Sequence, residues 1–171
     1  MTISMSTACL PLFKTTLGNL VHILDKAQAH AEARKYDPLV LTQSRLAPDM
    51  LPLTKQIQIA CDAAKNGVAR ISGLEAPKFE DNEVSFADLK ARIQNTLAWL
   101  ATVPAAALDG TEDKSITFPV GREKTRTMTG EAYLKHWMLP NFFFHVVTAY
   151  AILRHNGVEL GKSDYLAGAG L

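Results

Sequence analysis

Four segments of this chain repeat apolar residues at spacings of three and four, and helices patterned in that way are stable only when their stripes are buried against one another. Leu10, Phe13, Leu17, Leu20, Leu24, Ala27 and Ala31 form the first, which ends near Lys35 because Asp37 precedes Pro38 and a residue before proline is driven out of the helical region. Leu46, Met50, Leu53, Ile57, Ala60, Ala64 and Val68 form the second, with Pro48 and Pro52 breaking its entry and Gly73 offering a stop. Ser85 and Asp88 make a capping box for the third, whose stripe is Phe86, Leu89, Ile93, Leu97 and Leu100. The fourth opens at Thr129 or Gly130, runs through Arg154 and stops at Asn156 and Gly157. Between the third and fourth, ITFPVGREKTRTMT alternates in part around a glycine-containing turn, which predicts a short exposed hairpin. Four long amphipathic segments with one long crossover connection predict an all-α four-helix bundle, with residues 1–171 as a single domain.

Several function classes are disfavoured at once. The formal net charge is +1 and the basic residues are scattered, so there is no concentrated basic face of the kind nucleic acid requires. The apolar window from Trp137 to Leu153 is interrupted by Pro140, Asn141, His145 and Thr148, which argues against a membrane span. MTISMSTACLPLFK lacks a basic region ahead of an apolar run and does not read as a signal peptide. Cys9 and Cys61 are too few and too far apart for a disulfide framework or a zinc motif, and they read as reduced, small apolar residues. The expectation is a cytoplasmic protein.

The chemistry concentrates in HWMLPNFFFHVVTAYAILRHNG, which holds three of the five histidines. At about 100° per residue, His136, His145 and His155 point in different directions and cannot chelate one ion. A chelating pair on a helix needs a spacing of three or four, and the residue four before His145 is Asn141. Asn141 and His145 share a face with Leu134, Met138, Thr148 and Ile152. On the second helix, Asp49 and Gln56 are nearly aligned and can face that pair across the bundle. His145, Asn141, Gln56 and Asp49 are therefore the candidate pocket, with His145 as the one strong metal ligand. The alternative is that Asn141, His145 and Gln56 hydrogen-bond one another or backbone and hold no ion. Phe142, Phe143, Val146, Tyr150 and Leu153 lie off that stripe, and a helix apolar nearly all round must be deeply buried or covered by a partner, the second of which is the expectation of a homodimer.

Other motifs carry less. GVELGKS is one residue short of a phosphate loop, follows a helix and has no helix behind it. FEDNE reads as a solvated acidic loop, and Arg122, Lys124 and Arg126 as a solvated hairpin. No serine or cysteine has an activating motif.

RLAPDMLPLTKQIQIACDAAK, ARISGLEAP and LPNFFFHVVTAYAILRHNGVELGKSDYL together resemble a family catalogued as domain of unknown function nineteen ninety-three, within the DinB/YfiT-like group. The resemblance implies a four-helix bundle of unusual connectivity, often dimeric, with a short β-hairpin or loop insertion between helices three and four. It also implies a divalent-metal site, built from a histidine on the second helix and a His-xxx-His pair on the fourth, in proteins that include transferases acting on small thiols. Laid on this chain, those positions fall near Gln56 and on Asn141 and His145, so two expected ligands are carboxamides. Three functions follow as expectations. The first is a dimeric bundle with a degenerate metal site that binds a small molecule or partner. The second is a divalent-metal-dependent transferase or hydrolase, and the third a metal-free enzyme with His145 as general base.

Overall fold

The computed structural model describes residues 3–168. Helix α1 (Met5–Ala33) starts from Ser4, which forms a capping box with Thr7. A single turn, α2 (Leu39–Thr42), lies on the way to α3 (Leu53–Ser72), which Gly73 closes at φ 80°. The capping box of Ser85 and Asp88 opens α4 (Phe86–Thr102), as expected. Strands β1 (Ser115–Pro119) and β2 (Thr125–Thr129) pair antiparallel, with Ser115 opposite Thr129 and Phe118 opposite Arg126. Thr129 then caps α5 (Gly130–Tyr133), which passes through a π-helical turn at Leu134–Met138 into α6 (Leu139–His155). A last short helix, α7 (Lys162–Ala167), follows.

The four long helices close a ring in the order α1, α4, α3, α6, so that α1 and α3 are diagonal, and the largest interface joins α3 to α6. Phe13 of α1 meets Phe142 of α6 edge to face across the core, with ring centroids 4.7 Å apart. This is the predicted four-helix bundle with a hairpin between the third and fourth long helices.

Three local expectations need correction. The second helix does not include Leu46, Asp49 or Met50. Pro52 has no N–H and drives Leu51 out of the helical region, so α3 begins only at Leu53. Asp49 is left in an exposed turn, outside the helical register that was to align it with Gln56. The fourth helix changes pitch ahead of Pro140, whose ring would clash with the carbonyl four residues back. Leu139 N–H bonds instead to Leu134 O, one residue further than an α-helix allows. Beyond that turn Phe142, Val146 and Leu153, which lie off the stripe that carries His145, are buried within the core, while Phe144 and Val147 stand 58% and 48% exposed.

The hairpin is also less solvated than expected. Ile116 and Phe118 of β1 are buried, and Phe118 packs on Tyr133 and Trp137 with centroids 4.8 and 4.9 Å away. Nor is GVELGKS without a helix behind it. The α7 turn docks on α1 through Asp164, which accepts from Gly161 N–H at 2.7 Å, Lys26 at 2.9 Å and His22 at 3.0 Å. The bonds from Gly161, Lys26 and His22 outweigh burial and hold the Asp164 carboxyl down at about 2.

At the root of α5, Gly130 lies against the backbone of the loop after α4. A Cβ there would overlap the carbonyl oxygen of Thr111, and that carbonyl has no side-chain freedom with which to yield. Gly130→Ala should lower the unfolding free energy by about 2 to 3 kcal/mol, the range for overpacking. Urea unfolding followed by circular dichroism measures this, and an unchanged midpoint would show that the Thr111 segment moves freely.

Candidate functional site

The candidate site grows from the break at Pro52. Because Leu51 lies outside α3, its carbonyl is available to a side chain, and Gln56 Nε2 in the first turns of α3 donates to it at 2.9 Å. A carbonyl can only accept, so this bond sets which end of the Gln56 amide faces α6. Gln56 Oε1 lies 2.7 Å from His145 Nδ1. An amide oxygen cannot donate, so Nδ1 carries the proton, and in the neutral ring Nε2 keeps its lone pair. That Nε2 makes no hydrogen bond to a described residue and is not sealed from solvent. His145 itself is only 9% exposed, and the Phe144 ring stands edge-on to it at 5.2 Å. Burial lowers the His145 pKa below its ordinary value, which keeps the imidazole neutral at physiological pH.

Of the four residues expected to converge, the structure joins two. Gln56 and His145 form a buried hydrogen-bonded pair. Asn141 is half-buried one turn before His145 and hydrogen-bonds to no described residue. Asp49 is exposed in the turn before α3 and makes no hydrogen bond or ion pair with a described residue, because the helix that was to align it starts after it.

A divalent transition metal does not fit this donor set. The Gln56 amide oxygen is taken by the imidazole, Asn141 offers a neutral hard oxygen, and only His145 Nε2 is a suitable ligand. Among the described residues no group of three or more His, Cys, Asp or Glu side chains could hold a metal ion.

A second polar cluster escaped the sequence reading. Arg92 and Lys65, each 3% exposed, sit between α3 and α4. Arg92 pairs with Glu83 at 2.8 Å, Asp81 at 2.9 Å and Asp62 at 3.0 Å. The FEDNE segment is therefore not simply a solvated loop, since the Glu83 side chain is only 10% exposed. The available signal was the phase of Arg92, three after Leu89 and four before Thr96, which puts it on the buried side of α4.

The bundle, its hairpin insertion and the imidazole facing α3 from α6 define a DinB-like helical protein. The fold is similar to the crystal structure of a DinB family member protein from Shewanella denitrificans, with a TM-score of 0.87, 43% identity, and 95% of this chain and 91% of that chain covered. The family described as "Domain of unknown function (DUF1993)" matches residues 5–166, and the chain belongs to it. No curated protein matches. Among the described residues no helix is long and apolar enough to cross a membrane.

The buried imidazole makes stability depend on pH. The folded state binds a proton at His145 less readily than the unfolded chain does, so this residue's contribution is complete above about pH 6.5 and falls as acid protonates the unfolded state first. Wild-type protein should therefore lose more stability than His145→Gln between about pH 7 and pH 5. Denaturant titrations across that range measure it, and parallel curves for the two proteins would mean that His145 titrates as an exposed group. Nitrogen NMR of His145 at neutral pH should show the proton on Nδ1.

Proposed function

We propose that this chain is a dimeric DinB-like bundle that binds a small molecule carrying a hydrogen-bond donor, at the place where relatives of the wider group are expected to hold a metal. The observation that carries this reading is His145 Nε2, a lone pair held in fixed direction by the Gln56 and Leu51 hydrogen bonds and left without a partner among the described residues. An oriented acceptor at the edge of an apolar surface recognises an O–H or N–H group of a ligand. Asn141, one turn away and also without a hydrogen-bond partner among the described residues, supplies a further donor and acceptor.

The dimer reading rests on Phe144 and Val147, large apolar side chains three residues apart on α6. A second copy of the chain covering this face would also wall the approach to His145. The cytoplasmic reading is supported by Cys9 and Cys61, both free and buried, whose thiols burial pushes up to about 12.

Elemental analysis of untagged protein, before and after incubation with zinc, nickel, manganese and iron, tests the site. The expected result is far less than one ion per chain. Near-stoichiometric metal that disappears in His145→Ala would overturn this reading in favour of a divalent-metal-dependent transferase or hydrolase. On the same preparation, light scattering should report a dimer that Val147→Glu converts to monomer with little change in thermal stability. A wild-type monomer at micromolar concentration would remove the dimer from the proposal.

A further inference from the structure

Residues 74–85 cross from α3 to α4 without a helix or strand, between the C-cap Gly73 and the N-cap Ser85. Apolar burial does not hold this strap down, because Leu74 and Val84 are 41% and 52% exposed. Its attachments are polar. Lys65 donates to Pro77 O at 2.6 Å, Lys55 pairs with Asp81 at 3.6 Å, and Phe79 lies over Lys65 at 4.3 Å and Arg92 at 5.1 Å. The deepest attachment is Glu83, whose Oε1 accepts from Arg92 at 2.8 Å and whose Oε2 accepts from Gln58 Nε2 at 2.6 Å.

Glu83 satisfies this receptor only in part. Gln58 and Arg92 are 1% and 3% exposed, yet Gln58 Oε1 and Arg92 Nε have no hydrogen-bond partner among the described residues. Rotating the Gln58 amide would not help, since it would set oxygen against the Glu83 carboxylate. One buried acceptor and one buried donor are thus idle on the two residues that grip the same carboxylate. A surface cavity of about 470 Å³, lined in part by Phe79, Glu83, Asp88, Arg92 and Asn95, lies against Arg92 and the Glu83 that covers Gln58. Charge points the same way. Lys55, Lys65 and Arg92 face Asp62, Asp81 and Glu83 while the strap is seated, and face Asp62 alone if it lifts.

We infer that Gln58 and Arg92 form a receptor for a small carboxylate bearing a neighbouring hydroxyl or ammonium group, and that Glu83 on the strap is a tethered carboxylate occupying it. The ligand's carboxylate takes the place of Glu83 on Arg92 and Gln58, its hydroxyl or ammonium donates to Gln58 Oε1, and an untethered carboxylate is free to engage Arg92 Nε as well. Gln58 is about 200° round α3 from Gln56, so this site faces α4 and is independent of His145.

Glycolate, acetate and inorganic phosphate serve as probes in calorimetric titrations of wild-type protein and Glu83→Ala. The inference expects saturable glycolate binding by Glu83→Ala at least tenfold tighter than by wild type, weaker binding of acetate, none of phosphate, and loss of the glycolate heat when Gln58→Leu is added. Absence of saturable glycolate binding by Glu83→Ala, equal binding of all three anions, or indifference to Gln58→Leu would overturn it. If Glu83→Ala does not fold, amide hydrogen exchange of the wild type decides. Glycolate should speed exchange across residues 74–85, and an unchanged pattern rejects the proposal.

Discussion

Helix α3 has no fully exposed position along its whole length, and the remaining features of the molecule follow from that enclosure. With α4 on one side and α6 on the other, its buried polar side chains Gln56, Gln58 and Lys65 cannot rely on water and must find partners in protein. Gln56 finds His145 and the Leu51 carbonyl; Gln58 finds Glu83; Lys65 finds Pro77 O and Asp62. The two polar centres of the protein are thus the two sides of one buried helix. Leaving a buried polar group unpaired costs about 1 to 3 kcal/mol, which makes these pairings conditions of the fold rather than additions to it.

The architecture could be read from the sequence where local chemistry decides it. The box at Ser85 and Asp88, the cap at Thr129, and the positive φ of Gly73 and Gly157 lie where cap residues and apolar periodicity placed them. Prolines were legible as breaks but not in their consequences. Pro52 does more than roughen an entry, because it ends helical alignment and so separates Asp49 from Gln56. Pro140 replaces the loss of an N–H by a π turn, which shifts the phase of everything before it relative to α6. A wheel drawn at constant pitch cannot foresee that shift of Leu134 and Met138 relative to Asn141 and His145.

Ion pairs with a partner on another element were the least legible. Glu83 and Arg92 are nine residues apart, and neither residue announces that the intervening chain doubles back to join them. The FEDNE segment has the composition of a solvated loop, and most of it is solvated. Composition cannot single out the one carboxylate that turns inward, whereas the helical phase of Arg92 could have shown that a buried cation needed it. Burial alone would raise the Glu83 carboxyl, yet the bonds from Arg92 and Gln58 more than offset this and keep it below its ordinary value. The Glu83 carboxylate therefore stays charged at neutral pH.

The same reasoning explains what an amide accomplishes at position 56. A histidine there could donate one ring N–H to the Leu51 carbonyl and would then turn a lone pair toward α6. Two imidazole lone pairs facing each other across a bundle repel unless a cation sits between them. Glutamine makes the same donation to Leu51 but presents an oxygen that accepts the proton on His145 Nδ1, so the gap between α3 and α6 closes as a direct hydrogen bond of 2.7 Å. The exchange of one ring for one amide turns convergent acceptors into a donor and an acceptor. In this bundle the hydrogen bond between Gln56 and His145 itself joins α3 to α6 and fixes the direction of the remaining imidazole lone pair.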